Sequence, residues 1–389
     1  MAQFIPYGRQ SVSEEDIAAV VDVLKSDFLT QGPVVPAFEQ AVASYCGAAH
    51  GVAANSATSA LHIACMALEV GPGDRVWTSP LTFVASSNAA LYCGADVDFV
   101  DVDPRTYNMC PQKLADKLAQ AAEDGALPKV IIPVHLTGQS CDMAAIHENA
   151  SRYGIRIIED ASHAIGGSYG TRFVGACEYS DIAVFSFHPV KIVTTGEGGM
   201  AMTNDAQLAR RMASGRSHGV TRDPELLQLE DPGPWYYEQH TLGYNYRMTD
   251  INAALGLSQL DRLPAFIERR RAIAQSYDEA FAQWPVTTPW QLPEAASAWH
   301  LYVVRIDPKH AAKPHRAVFE ELRRSGIGVN LHYIPVYLQP YYRDLGFAPG
   351  HCPEAEAYYA QAISLPMFPT LTDEQQSEVV AALAQAVTL

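Results

Sequence analysis

Short apolar runs alternate with longer stretches of helical spacing from about residue 50 onward. GVAAN (Gly51 to Asn55) precedes TSALHIACMALEV, RVWTSP precedes FVASSNAALYCG, and DVDFVDV precedes PQKLADKLAQAAED. KVIIPVHL precedes MAAIHENASRYG, which runs into IRIIEDAS; DIAVFSF and GGMAMTN follow. Near-continuous apolar runs mark strands covered on both faces, and the stretches between them mark the covering helices. The pattern predicts an α/β fold, with a large domain built on a mostly parallel sheet covered by helices. NYRMTDINAALGLSQLDRL supplies a further helical face, and Pro264 with the charged run after it marks a connection. A large domain over residues 1–264 and a smaller C-terminal α+β domain over residues 265–389 follow. In the smaller one LYVVRID reads as a strand, HRAVFEELRRSG as a helix and IGVNLHYIPV as an extended stretch.

Composition narrows the class of function. The 389 residues carry 27 Lys and Arg against 43 Asp and Glu, a net charge of −16, so no global positive field recruits nucleic acid or anionic lipid. The basic run Glu268 to Arg271 reads as a solvated helix face. The opening residues show no basic region followed by an apolar core, and no later segment is long and apolar enough to span a bilayer, so a cytoplasmic protein is expected. The seven cysteines form no CxxC pair, which indicates neither a disulfide framework nor a cysteine zinc site, and Cys65 and Cys93 read as small core residues. His135, His163, His188, His300 and His332 form no HExxH or HxH pattern, and no metal site is expected. Tryptophan and tyrosines in the polar excursion from Arg222 to Glu238 suit an ordered lid or interface loop.

Ligands of open parallel sheets collect at the carboxyl ends of strands, so the polar residues after each apolar run carry the candidate chemistry. Asn55 to Ser59 place small hydroxyl residues at a helix start, as a plain N-cap or as a phosphate seat. No GxGxxG or GxxxxGK pattern is present there. Thr82 and Phe83 follow RVWTSP, where the aromatic ring belongs either to a core or to the wall of a planar cofactor. The acids in Glu159 to His163 cap the next helix or face a ring nitrogen. Lys191 lies in SFHPVKIVTTGEGG, as a surface turn residue or as a reactive amine. A phosphate seat, an aromatic wall, a carboxylate and a lysine together make the set that pyridoxal phosphate requires.

Over nearly the whole chain, from PYGRQSVSEEDIAAVVDVLKSDFLTQGP to LPMFPTLTDEQ, the sequence resembles the DegT/DnrJ/EryC1/StrS sugar aminotransferases of fold type I, the aspartate-aminotransferase-like fold. EDASHAIG, SFHPVKIVTTGEGGM and YNYRMTDINAALGLSQL are the most specific blocks. The resemblance implies that Lys191 holds pyridoxal 5'-phosphate covalently, that Asp160 pairs with its ring nitrogen, and that His163 or Phe83 packs on the ring. It implies that Thr58, Ser59 and Ser186 hold the phosphate and that Asn245 reaches the phosphate of a neighbouring subunit, so the active unit is a homodimer. Tyr7, Asp27, Phe28, Leu29, Thr30, Ala57, Asn330, His332 and Tyr333 are implied to line a sugar-nucleotide site, with His332 toward the diphosphate.

Within the family, DFLTQGP paired with SFHPVKIVTTGEGG is most similar to the pseudaminic acid branch, which aminates C4 of a UDP-linked 4-keto sugar with L-glutamate as donor. Branches acting on keto sugars of the bacillosamine, perosamine or 4-amino-arabinose type share the same catalytic groups. A third reading is a non-enzymatic protein on the same scaffold, which loss of Lys191 or Asp160 would have favoured. A deoxygenating branch carries histidine in place of the lysine; here Lys191 is present and His188 lies three residues earlier.

Overall fold

The computed structural model describes residues 4–229 and 233–388. Its central sheet has seven strands: β1 His50–Ala54, β2 Arg75–Thr78, β3 Asp96–Phe99, β4 Val130–Ile132, β5 Arg156–Asp160, β6 Ile182–Ser186 and β7 Gly199–Thr203. Their spatial order is β1-β7-β6-β5-β4-β2-β3. β2 to β6 run parallel to one another as the alternation predicts, and β7 alone runs against both β1 and β6. Parallel strands need a crossover, generally helical; the chain between β6 and β7 contains no helix and returns alongside the strand it left. This exception creates the turn that carries Lys191.

Ten helices account for most of the covering: α1 Glu14–Leu24, α2 Val34–Cys46, α3 Ala57–Ala67, α4 Ala85–Tyr92, α5 Pro111–Glu123, α6 Met143–Ser151, α7 Ala206–Gly215, α8 Asp250–Leu260, α9 Leu263–Phe281 and α10 His315–Arg324. Val35, Phe38 and Val42 of α2 pack with Phe185, Met200 and Ala253 on one face of the sheet. On the other face Leu61 and Ile63 of α3 meet Leu208 and Met212 of α7 and the side chains of β6. β4 to β6 are therefore apolar on both faces, which is why their sequence lacks alternation.

Two buried carboxylates fix the N-terminal segment to α8. Asp16 accepts from Ser258 Oγ at 2.7 Å and Gln259 Nε2 at 3.1 Å and pairs with Arg262. Asp250 accepts the backbone N–H groups of Gly32, Val34 and Val35 at 2.6, 2.9 and 2.9 Å, completing the first turn of α2. Asp250 also donates its own N–H to Leu29 O at 3.0 Å, which seats residues 27–30 against the start of α8.

The smaller unit has a three-stranded sheet of Val286–Thr287, Tyr302–Ile306 and Ala362–Leu365, packed against α10 and the helix Asp373–Thr388. Pro264 stands in the first turn of α9, where its missing N–H costs nothing. α9 belongs to both units: Leu263, Phe266 and Ile267 enter the core of the large sheet, while Ile273, Tyr277 and Phe281 enter the small one. The N-terminus also crosses over, since Ile5 pairs beside Ile327 and is buried in the small core.

Arg270 departs from the expected solvated face of the basic run. It is 1% exposed and donates to the carbonyls of Trp299, His300 and Met367 at 3.0, 3.2 and 3.1 Å, because the helical period turns this position inward between the two units. Arg269 does face outward and pairs with Asp373. All seven cysteines are free; Cys65 is core, whereas Cys93 is only half-buried at the end of α4. The strand Val220–Thr221 just before the excursion pairs with Glu238–Gln239 at its end, and Trp235 within it and Leu242 after it are each 75% exposed. Residues 230–232 of the excursion lie outside the described residues.

Candidate active site

Strand ends and one helix start converge on a cavity of about 510 Å³ between the two units. Its wall includes Tyr7, Ala57, Thr58, Phe83, Asp160, His163, Ser186, Lys191, Asn330, His332 and Tyr333, all singled out from the sequence. Ser59 lies behind the wall, its hydroxyl donating to Asn55 Oδ1 at 2.7 Å. Asn245 and Asp27 to Thr30 are exposed and do not line the cavity of their own chain.

Local rules explain each placement. Successive residues of a strand face opposite sides, so Asp160 at the end of β5 enters the cavity while Glu159 points away to His135 Nε2 at 2.7 Å. His135 accepts the Cys141 N–H on Nδ1 at 3.1 Å, which leaves its proton on Nε2 for Glu159. It is a structural group beneath the sheet. At the start of α3, Ser56 Oγ accepts the Ser59 N–H at 3.1 Å, while Ala57 and Thr58 in the same first turn face the cavity. A helix start with free N–H groups and neighbouring hydroxyls is a seat for an anion.

The Lys191 turn is held from both sides. Phe187 O accepts Thr195 N and Thr194 Oγ1, each at 3.0 Å, and Thr194 N donates to Gln259 Oε1 of α8 at 3.2 Å. Gly196 adopts a left-handed φ of +79°, and a Cβ on Gly199 would lie 2.5 Å from Ala57 N. The glycines of TTGEGG thus let the turn reverse and let β7 approach the anion seat.

Electrostatics favour a reactive amine. Lys191 keeps part of its surface open toward the cavity; desolvation pushes its ammonium down to about 8, with the Asp160 carboxylate pulling the other way. Burial and then the Lys191 charge hold His163 well below the usual histidine range and push His332 down to about 4. His332 is therefore a neutral hydrogen-bonding group, its Nδ1 2.8 Å from Ser364 Oγ. His163 Nε2 lies 3.2 Å from Tyr333 Oη. His163 is 5% exposed beside Asp160 and Lys191, whereas Phe83 is 61% exposed at the opening.

Sequence reasoning missed two contributors. The ring of His300, which shows no metal-binding pattern in the sequence, lines the cavity 4.4 Å from the ring of His163, while its carbonyl takes Arg270. Ser86 donates to Asp160 Oδ2 at 2.6 Å from the first turn of α4. The usable signal was its spacing of four from Thr82.

The cavity fits pyridoxal phosphate in donors and in charge: an anion seat, a carboxylate with a lysine beside it, and the neutral His163 imidazole, whose Nδ1 has no partner among the described residues. The comparisons with known proteins agree. Residues 10–384 match the model of the DegT/DnrJ/EryC1/StrS aminotransferase family. The chain belongs to this family. It is a pyridoxal-phosphate-dependent aminotransferase of nucleotide-linked sugars. It is 38% identical over 387 residues to the spore coat polysaccharide biosynthesis protein SpsC of Bacillus subtilis, covering 99% of this chain and 97% of that one. Among solved structures, Helicobacter pylori PseC, an aminotransferase involved in the biosynthesis of pseudoaminic acid, aligns with a TM-score of 0.89 at 30% identity over 99% of each chain. S. venezuelae DesV aligns with a TM-score of 0.86 at 30% identity over 99% of this chain and 98% of its own. No helix among the described residues is long and apolar enough to cross a membrane.

Lys191 must lose a proton before it can attack an aldehyde, so the rate at which cofactor-free enzyme captures pyridoxal phosphate should rise about tenfold per pH unit and level off near pH 8. Stopped-flow absorbance across pH 6 to 10.5 would measure it, in roughly half-unit steps. A rise continuing to the 10.5 of a free lysine would show that burial does not tune this amine.

Proposed function

We propose that the protein transfers the amino group of L-glutamate to C4 of UDP-2-acetamido-2,6-dideoxy-β-L-arabino-hex-4-ulose. The products are UDP-4-amino-4,6-dideoxy-N-acetyl-β-L-altrosamine and 2-oxoglutarate, and the step serves pseudaminic acid biosynthesis. The observation that carries aminotransfer is the meeting of Lys191, Asp160 and the α3 anion seat in one cavity. The choice of sugar rests on DFLTQGP with SFHPVKIVTTGEGG and on the likeness to PseC.

Bound pyridoxal phosphate supplies an electron sink for the carbanion formed when a proton leaves the substrate carbon. Lys191 would hold the cofactor, and its free amine would take the proton from the glutamate Cα and deliver one to the sugar C4. Asp160 keeps a proton on the ring nitrogen. Thr58, Ser186 and the N–H groups of Ala57 and Thr58 at the start of α3 receive the phosphate; Ser59 supports this seat from behind, since its N–H is taken by Ser56 Oγ and its hydroxyl by Asn55. His163 packs on the ring, and Phe83 guards the opening. Tyr7, Asn330, His332 and Tyr333 contact the sugar nucleotide as neutral donors and acceptors.

We also infer a homodimer with shared sites. Among the described residues, Lys191 is the only lysine or arginine lining the cavity, against Asp160 and Glu197. A phosphate, a diphosphate and a dicarboxylate donor ask for more donors and positive charge than one chain provides. Asn245 and the Asp27 to Thr30 segment are exposed and free to serve a neighbouring copy's cavity. In this reading residues 1–264 carry the cofactor and residues 265–389 the small domain, with α9 as the strut between them.

Purified enzyme offered UDP-, GDP- and dTDP-linked 4-keto sugars with L-glutamate should aminate the UDP-linked 2-acetamido-2,6-dideoxy substrate at C4, identified by mass spectrometry and NMR. Amination of a GDP- or dTDP-linked sugar alone would replace the sugar assignment and leave the aminotransferase intact. Mixing inactive Lys191→Ala and Asn245→Ala subunits should restore part of the activity, because one site of each hybrid then has both native residues. No recovery after verified subunit exchange would contradict sharing.

A further inference from the structure

Asp160 is 4% exposed, and both its oxygens face donors. Oδ1 accepts the Ser162 N–H at 3.1 Å and the Ser162 hydroxyl at 2.6 Å, and Oδ2 accepts the Ser86 hydroxyl at 2.6 Å. The Ser86 oxygen lies in turn 2.6 Å from Thr82 Oγ1. A hydroxyl has one proton, and an ionised carboxylate only accepts, so the Ser86 proton goes to Asp160 and the Thr82 proton must point at Ser86. The direction of the chain Thr82 to Ser86 to Asp160 is thereby fixed.

Its placement is unusual for hydroxyl residues at a helix start. A serine there ordinarily satisfies its own helix; Ser86 is only 3.4 Å from Phe83 O and instead reaches across to the end of β5. The spacing of four at the entry to α4 stacks Thr82 and Ser86 on one side of the turn. Ser86 and Thr82 are 0% and 4% exposed, so neither hydroxyl is satisfied by bulk water. Burying two such groups without partners would be destabilising. Their compensation is each other and the carboxylate.

We propose that Thr82 and Ser86 are positioning residues that fix the Asp160 carboxylate in one orientation with Oδ2 already accepting a hydrogen bond, so that the proton it shares with the cofactor ring stays on the ring nitrogen. This rests on the reading that Asp160 faces that nitrogen. Removing the Ser86 donor leaves a more basic oxygen, which draws the shared proton from the ring. A less positive ring repels the proton on the Lys191 nitrogen less, so the pH at which the bound cofactor's visible absorption changes moves upward.

The test compares holoenzyme carrying Ser86→Ala, Thr82→Val, Thr82→Ser or Asp160→Asn by absorbance titration and by kcat and KM for L-glutamate. Ser86→Ala should raise the absorption midpoint by about one pH unit and lower kcat about tenfold with KM unchanged. Thr82→Val, close in shape but without the hydroxyl, should shift the midpoint the same way by less, and Thr82→Ser should keep the wild-type midpoint. An unchanged midpoint in both Ser86→Ala and Thr82→Val, with Asp160→Asn strongly shifted, would overturn the hydroxyl chain alone. An unchanged midpoint in Asp160→Asn would overturn the reading beneath it as well.

Discussion

The structure depends on an amine and a carboxylate placed together where water is scarce. Desolvation alone would make Lys191 a good nucleophile, and the Asp160 charge alone would make it a poor one; with desolvation the larger effect, the ammonium sits at about 8. The amine is then available near neutral pH while a negative group stays within reach. Much of the architecture serves this balance. β5 delivers Asp160 by simple alternation, and the antiparallel return of β7 forces the chain through the turn that presents Lys191. Gln259 of α8 holds that turn from behind.

Around this pair three histidines of the site are neutral. Burial keeps His163, His300 and His332 uncharged, so they offer shape and hydrogen bonds without competing with Lys191 for anions. Arg270 is buried beneath the same region, where one of its terminal nitrogens donates to three carbonyls while its Nε has no partner among the described residues. Its charge disfavours protonation of His300, as the charge of Lys191 does. Arg270 also ties α9 to the carbonyls of Trp299, His300 and Met367, so the strut that joins the two units holds the backbone of His300, which lines the site.

The large unit was legible because strands covered on both faces leave continuous apolar runs and because functional groups gather where those runs end. Asp160, Ser186 and Lys191 all follow such runs. The reversal of β7 was not legible, since GGMAMTN looks the same in either direction. Nor was the inward turn of Arg270, because a charged run reads as solvent-facing unless backbone carbonyls from distant segments are known to meet it. Ser86 and His300 escaped for a related reason: their partners lie 74 and 137 residues away, at Asp160 and His163, and no local pattern encodes such a contact. The neutrality of His332 depends on burial, which its neighbours in sequence do not reveal.

The covalent role of Lys191 is tested most directly by reducing the holoenzyme with borohydride, digesting it and locating the attached pyridoxyl group by mass spectrometry. The account predicts a single modified peptide containing Lys191, and no covalently retained cofactor in Lys191→Ala. Modification of another lysine, or retention of the label in Lys191→Ala, would contradict it.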